Sequence, residues 1–430
     1  MLELYSKLLG ELKNVAQKGL FHLLSANGLI FISGFASQLF VAGYLDPIEI
    51  GQIKIMQTYI GFASIVGGLG FNVALIQLAS KDGVSEIERN QYFNISLFIG
   101  LISFIVLYGI LFIINTLGLM SKDIEIKRLF PLYAMFMFPL ILQSSYLSFF
   151  QAIKQIKKMA FAQSSIKIIS VLAIVLATWR FGLLGYIWAV VISSFIGILI
   201  FEMQIKDSIF KRVKNYFIKE QVRTMWSLSG YALAANIIGS ILTSLDIYMV
   251  NYFVSDRSVV GFYMFALTLV SIFQLLPTSM QQIAMPYFSS KSNNSSEWLR
   301  IYKKYNFINH FAIPIFLFIG ATTVVFSIPF LFKGKYDESI LFFILISVGW
   351  GIRNMNIMKG TALMGRGKFN LNFRSSFISL LISLPIVFSV IYYFGIRGAM
   401  LSHIVIGLVS YIVTLVTFTS YIKSQKIVHD

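Results

Sequence analysis

The sequence contains no cysteine, which excludes disulfide cross-links, cysteine nucleophiles and thiolate metal sites. Charge is scarce as well: Asp, Glu, Lys and Arg make up 12% of the chain, against roughly a quarter in a soluble domain. Histidine is limited to His22, His310, His403 and His429, scattered and without the H-E-x-x-H spacing of a zinc hydrolase. The first three read as helix-end or packing residues. No G-x-x-x-x-G-K-[S/T] phosphate loop occurs, and no long polar stretch could build an aqueous domain for ATP hydrolysis. With those features go the reactions that need them, and an enzyme is not expected.

What the chain has in excess is apolar. Hydrophobic residues make up 57% of it and the mean hydropathy is +0.77. The apolar residues fall into runs long enough to cross a hydrocarbon core of roughly 30 Å as helices. Twelve spans are predicted, at 19–44, 50–79, 92–115, 129–151, 160–178, 182–205, 226–253, 258–288, 306–332, 338–364, 371–393 and 396–421. The period-two alternation of a lipid-facing barrel is missing. The expected fold class is therefore an all-α polytopic membrane protein. The first apolar run outlasts a signal peptide and lacks a small-residue cleavage site, so it is read as a retained span.

A formal net charge of +17 suggests nucleic acid in a soluble protein, but here the cations sit mostly in short loops. Lys and Arg in alternating loops divide twenty-two against eight, with the excess on the side of both termini. By the positive-inside rule the termini are cytoplasmic and the chain lies in the inner membrane. No nucleic-acid partner is expected.

The basic run from Lys206 to Arg223 divides the chain near its midpoint. Ile209, Phe210, Val213 and Phe217 recur there at helical spacing among Lys211, Arg212, Lys214 and Lys219, the pattern of an amphipathic helix on the inner leaflet. The two halves can be superposed. Phe40 to Gly51 matches Val250 to Gly261, placing Asp46 over Asp256 and Gly51 over Gly261, and the Phe181-Gly182-x-x-Gly185 turn matches Phe394-Gly395-x-x-Gly398. Six spans per half is an even number, so the halves share one orientation as a parallel repeat. The predicted organisation is an N-terminal six-helix lobe at 1–205, a cytoplasmic amphipathic connector at 206–225 and a C-terminal six-helix lobe at 226–430.

Five cations fall inside the predicted spans: Lys54, Lys167, Arg353, Lys359 and Arg374. Arg353 is the strongest candidate for a binding role. A cation at mid-helix costs roughly 2.5–3.5 kcal/mol on the insertion scale unless it meets protein or water. Asn354 and Asn356 extend the polar side of the same span. Either an anionic ligand or a paired carboxylate would compensate Arg353. Lys54, one turn before Gln57 and Thr58, could draw an anion toward an outer vestibule or snorkel to the headgroups. Snorkelling is the simpler reading for Lys167, Lys359 and Arg374. Asp246, buried in the seventh apolar run, reads as an ion relay or as the counter-ion of Arg353 or Lys54. Gln38, Asn72, Gln77, Gln274 and Gln281 add polar groups to the spans, as lumen or as interhelical hydrogen bonds. Gly67, Gly68 and Gly70 weaken the second span, and Pro277 and Pro286 interrupt its counterpart, the eighth.

These motifs together resemble a known family. Asp46-Pro47-Ile48-Glu49-Ile50-Gly51, Gly68-Leu69-Gly70-Phe71 with Asn72, Asp246, Val260-Gly261-Phe262-Tyr263 and the paired Phe-Gly-x-x-Gly turns are similar to those of polysaccharide exporters. These are the O-antigen or capsule repeat-unit flippases of the multidrug/oligosaccharidyl-lipid/polysaccharide superfamily. The resemblance implies two lobes around a cationic cavity that passes undecaprenyl-pyrophosphate-linked oligosaccharide between leaflets by alternating access. It implies no cofactor, coupling to a proton or sodium gradient, and membrane lipids and a polysaccharide polymerase as partners. It gives Arg353, Lys54, Asn356, Lys359, Lys167 and Arg374 an anionic diphosphate to meet. The two additional spans of lipid II flippases are not expected here. The alternatives are an ion-coupled multidrug exporter of the same superfamily and a non-transporting scaffold of a polysaccharide assembly complex.

Overall fold

The computed structural model describes residues 21–80, 84–205, 219–292 and 294–427, and among them every regular element is helical. The first half comprises α1 (Phe21–Tyr44), α2 (Pro47–Gly67), α3 (Phe71–Ala79), α4 (Glu86–Thr116), α5 (Ile124–Ala134), α6 (Met137–Ala152) and α7 (Ile156–Met203). The second comprises α8 (Lys219–Phe253), α9 (Arg257–Val270), α10 (Leu275–Ser290), α11 (Ser295–Phe332), α12 (Glu338–Asn354), α13 (Ile357–Gly365) and α14 (Phe369–Ile427). Among the described residues seven helices are long and apolar enough to cross a membrane, or nine when two bent pairs each count as one span. Large apolar side chains stay exposed on the outer helices, including Ile105 and Ile113 of α4 and Phe318, Phe326 and Phe330 of α11. A water-soluble protein does not leave such continuous faces uncovered, whereas lipid solvates them. The protein is an all-α multi-pass membrane protein. Residues 206–218, the greater part of the predicted amphipathic connector, lie outside the described residues.

Several helices break, and each break has a local cause. Between α2 and α3 the axis turns by 44° where Gly70 adopts φ +72°, a conformation that favours glycine. A Cβ on Gly70 would also stand 2.5 Å from the Ser229 carbonyl oxygen of α8, so bend and close packing demand the same residue. Between α9 and α10 a 3₁₀ turn, Ser271–Gln274, precedes Pro277, which has no N–H to offer the Phe273 carbonyl four residues back. The expected second interruption at Pro286 does not occur, since α10 continues through it. A bend not foreseen in the sequence, 40° between α5 and α6, lies just before Pro139, which has no N–H for the Met135 carbonyl four residues back; that carbonyl accepts from the Phe138 N–H instead, at 3.3 Å. The break between α12 and α13 has no proline or glycine at its centre. Asn309 of α11 donates there to the carbonyls of Asn354 (3.1 Å) and Met355 (3.2 Å), replacing helix hydrogen bonds lost at the break.

The repeat landmarks take equivalent structural parts. Gly182 within α7 and Gly395 within α14 share a backbone conformation open to glycine (φ 58°, ψ −142° and φ 55°, ψ −129°), and each folds a long helix into two segments. Three residues later a Cβ on Gly185 or Gly398 would meet the carbonyl oxygen of Ala177 or Val390 at 2.1 Å, so both hairpins close on a glycine. Asp256 caps α9, its carboxylate accepting from the Ser258 and Val259 N–H groups, while Asp46 opens α2 with its N–H bonded to Glu49. Gly51 and Gly261 touch each other: a Cβ on Gly51 would lie 3.2 Å from the Gly261 Cα, and one on Gly261 only 2.0 Å from the Pro47 carbonyl oxygen. The α2–α9 crossing thus joins the halves through corresponding residues.

One end of the bundle is tied across the halves by polar contacts. The Leu45 carbonyl accepts from Lys335 Nζ (2.7 Å) and Tyr336 Oη (3.0 Å), and Lys335 also pairs with Asp46 at 3.4 Å. Asn251 donates to the Met120 carbonyl and accepts from the Ser121 hydroxyl, both at 2.8 Å. Asn251 is therefore a tie between the halves.

Candidate functional site

Between the tied end and the opposite end of the bundle lies a cavity of about 770 Å³. Helix α2 of the first half contributes Lys54 and Thr58, and the rest of the wall comes from α8, α9, α10, α12, α13, α14 and the 3₁₀ turn. Arg353, Asn354 and Asn356 reach it from the break between α12 and α13, and Gln274 and Gln281 reach it from the broken helix opposite. Serines and threonines of α14, including Ser375, Ser379 and Thr414, complete a lining rich in hydrogen-bonding groups. Asp246 is the one carboxylate on this wall among the described residues.

The residues at the break support one another. Asn356 caps the α13 end, donates to the Tyr411 carbonyl and accepts from Lys359 Nζ, which also lies 5.5 Å from the Tyr411 ring centroid. Lys359 is buried behind Asn356 and does not line the cavity, nor does it snorkel as expected. Asn354 donates to the Trp350 carbonyl at 2.8 Å. Arg353 stands free at this knot: among the described residues it has no ion pair and its guanidinium makes no hydrogen bond.

Asp246, read as an ion relay or as the counter-ion of Arg353 or Lys54, sits against a tyrosine and a histidine. No ion pair links it to either, although it is near enough to act on both electrostatically. Its Oδ2 instead accepts from Tyr263 Oη at 2.6 Å and lies 3.1 Å from His403 Nε2, and Tyr263 Oη and His403 Nε2 are 3.0 Å apart. Its Oδ1 is buried without a hydrogen-bond partner. Close packing of α12 and α14 brings the histidine there. A Cβ on Gly349 would lie 2.4 Å from the His403 backbone carbonyl, and one on Gly407 2.5 Å from the Gly349 oxygen. His403, expected as a packing residue, is thus part of the cavity wall. A lone histidine in an apolar helix carries no spacing signal, and Tyr263 was visible only as part of a motif.

The remaining predicted residues separate. Lys167 lines a second, smaller cavity of about 210 Å³, walled mainly by the first half with Phe265 and Thr268 of α9, where Lys54 also contributes together with Gln38 and Gln57. Arg374 is exposed and lines neither cavity, since its turn of α14 presents Ser375 and Ser376 inward instead. Asn72 and Gln77 line neither. Arg366, a cation of the predicted cytoplasmic loops, is engaged structurally: it donates to the Ser292 carbonyl, Tyr421 Oη and Ser295 Oγ and stacks 4.5 Å from the Trp298 ring centroid.

A family model described as polysaccharide biosynthesis protein matches residues 16–292, more than half of the chain. The chain belongs to that family. Solved structures with the same fold include an inward-facing multidrug resistance MATE family transporter of the MOP superfamily, with TM-score 0.74 and 14% identity over 93% of this chain and 95% of that one. They also include the lipid II flippase MurJ in an inward closed conformation, with TM-score 0.72 and 16% identity over 91% and 86%. An outward-facing MATE transporter aligns with TM-score 0.65 and 13% identity over 94% of each chain. No curated protein sequence matches the chain significantly. The family model thus places the chain among polysaccharide biosynthesis proteins, and the multidrug transporter and lipid II flippase structures share its fold.

Proposed function

We propose that this transporter moves undecaprenyl-pyrophosphate-linked oligosaccharide repeat units from the cytoplasmic to the periplasmic leaflet of the inner membrane by alternating access. The observation that carries the reading is that two cations with no ion-pair partner among the described residues, Arg353 and Lys54, face one polar cavity of about 770 Å³ where the halves meet. That volume lies within the roughly 300–1,000 Å³ of small-molecule sites, and a diphosphate is the group that would repay two desolvated cations. Sugar hydroxyls would find the Asn, Gln, Ser and Thr side chains of the wall, while the prenyl chain stays in lipid.

The fold supports a two-lobe reading. Dividing α7 and α14 at Gly182 and Gly395, and counting each broken helix once, yields twelve spans, six on either side of the connector at 206–225. With the termini cytoplasmic, the tied end around Leu45 and Lys335 faces the periplasm, and the cavity is in a state that loads from the cytoplasmic side. Asp246, Tyr263 and His403 supply the titratable group for proton or sodium coupling, and Lys359 acts through Asn356 as a positioning residue.

Reversal at Arg353→Glu, in protein that inserts normally, is expected to abolish movement of lipid-linked sugar while its synthesis continues. Export at the wild-type rate from that variant would sink the assignment. The drug-exporter reading requires acidic recognition, and efflux of toxic cations that survives Arg353→Glu but fails in Asp246→Asn would favour it.

A further inference from the structure

The smaller cavity, walled mainly by the first half with Phe265 and Thr268 of α9, sets Lys167 beside Lys54, a pairing that the large cavity does not contain. Lys54 and Lys167 both line it, and its wall carries no carboxylate among the described residues. Neither ammonium makes an ion pair or side-chain hydrogen bond among those residues. Lys167 is held against the first helix: a Cβ on Gly34 would lie 2.7 Å from its Nζ, so the absence of a side chain there makes the room it occupies. Tyr133 on the same wall is fully buried, and its hydroxyl lacks a hydrogen-bond partner, although it neighbours the 2.8 Å bond from Gln57 Nε2 to Tyr186 Oη.

Two cations and an unsatisfied hydroxyl around one small space are costly unless something completes them. An unpartnered buried polar group costs about 1–3 kcal/mol, and an uncompensated buried charge costs more. A phosphate-type oxyanion has the required properties, since it accepts from ammonium and hydroxyl donors at once. Size limits the ligand further: about 210 Å³ is below the roughly 300 Å³ at which drug-sized sites begin, so a sugar repeat unit does not fit but a single phosphate group does.

We infer that Lys54, Lys167 and Tyr133 form a separate site for one phosphate-type oxyanion. Because Lys54 also lines the large cavity, it is shared by the two sites, and an anion in either one compensates it. The oxyanion is either free inorganic phosphate or a phosphate of the lipid-linked substrate. Only the second source rests on the function proposed above.

The test is thermal unfolding of the purified full-length protein in detergent, with inorganic phosphate titrated against potassium gluconate at matched ionic strength. Phosphate at about tenfold excess over its Kd is expected to raise the melting temperature by about 2 °C, with a further rise for each tenfold increase. The rise should vanish in Lys167→Gln, shrink in Tyr133→Phe and persist in Arg353→Gln, which separates this site from the large cavity. If Lys167→Gln does not fold, Gly34→Ala displaces the same ammonium without removing it and is expected to abolish the rise. Geranyl diphosphate distinguishes the sources: loss of the phosphate effect in its presence assigns the site to a substrate phosphate, and retention assigns it to the free anion. No phosphate-specific shift, or one of equal size in Lys167→Gln or Gly34→Ala, overturns the proposal.

Discussion

The α2–α9 crossing offers a test that depends on backbone geometry alone. Adding a methyl at Gly261 would place its Cβ 2.0 Å from the Pro47 carbonyl oxygen, whereas an ordinary C···O contact is about 3.3 Å. About 1.3 Å must be found, and the obstructing atom is main chain, so no side-chain rotation supplies it. At Gly51 the added carbon would lie 3.2 Å from the Gly261 Cα and 3.3 Å from its nitrogen, a deficit of a few tenths of an ångström. Gly43, one turn before α2, has nothing within 4 Å of an added Cβ. Overpacking a tight contact costs about 1–3 kcal/mol, and Gly→Ala in an open helical position gains about 0.4–1 kcal/mol. The expected order of stability is therefore Gly43→Ala at or above wild type, then Gly51→Ala, then Gly261→Ala. The last should melt lower by on the order of 2–6 °C in a detergent unfolding assay. Because the same crossing seats Tyr263 against Asp246, Gly261→Ala should also reduce transport more than Gly51→Ala. Equal melting temperatures for the two crossing variants, or the reverse order, would refute the claim that these glycines set the approach of the halves.

Four further outcomes are expected. Asn309→Leu leaves the carbonyls of Asn354 and Met355 without their donor and should destabilise by about 1–3 kcal/mol, read as a lower denaturation midpoint, with Arg353 left in place. Gly182→Ala and Gly395→Ala force a side chain into a glycine conformation and should each cost about 1–3 kcal/mol, measured by the fraction of monodisperse protein after heating. His403→Gln, which keeps a hydrogen-bonding group but removes the imidazole beside Asp246, should slow transport while binding of substrate is retained. At the tied end, burial, with Asp46 and Glu49 nearby, holds the Tyr336 hydroxyl above its usual pKa. The folded state then keeps a proton that the unfolded chain releases above about pH 10, so this contribution is complete below that pH and lost as pH rises through the folded value. Tyr336→Phe should weaken the loss of stability above pH 10, visible in melting curves, at the expense of its bond to Leu45.

Much of the architecture was legible in residue order because lipid imposes simple requirements. A span must be long, apolar and satisfied within its own backbone, so apolar runs and the Phe-Gly-x-x-Gly breaks could be read directly. The landmark glycines were legible for a similar reason: Gly182 and Gly395 share a backbone conformation that favours glycine, and Gly51 and Gly261 lie in contact. The bend before Pro139 goes with a proline that cannot donate to the carbonyl four residues upstream, but a proline in a membrane helix does not announce whether its helix turns. Of the site, Arg353, Lys54, Asn356 and Asp246 came from the expense of polar groups in apolar runs, and all four line the large cavity. His403 did not, since the approach of α14 to α12 depends on the Gly349–Gly407 contact, between residues far apart in the chain.

The sequence by itself determined which residues cost free energy in a membrane and marked the reversals at Gly182 and Gly395, because hydropathy and glycine conformation act locally. It could not say which costly groups meet. Tertiary structure placed Lys167 in a different cavity from Arg353, put Lys359 behind Asn356, and gave Asp246 to Tyr263 and His403 in preference to either cation. Those pairings are set by helix crossings, where a difference of one ångström between backbones decides which side chain reaches which, and such distances are written in contacts between remote residues.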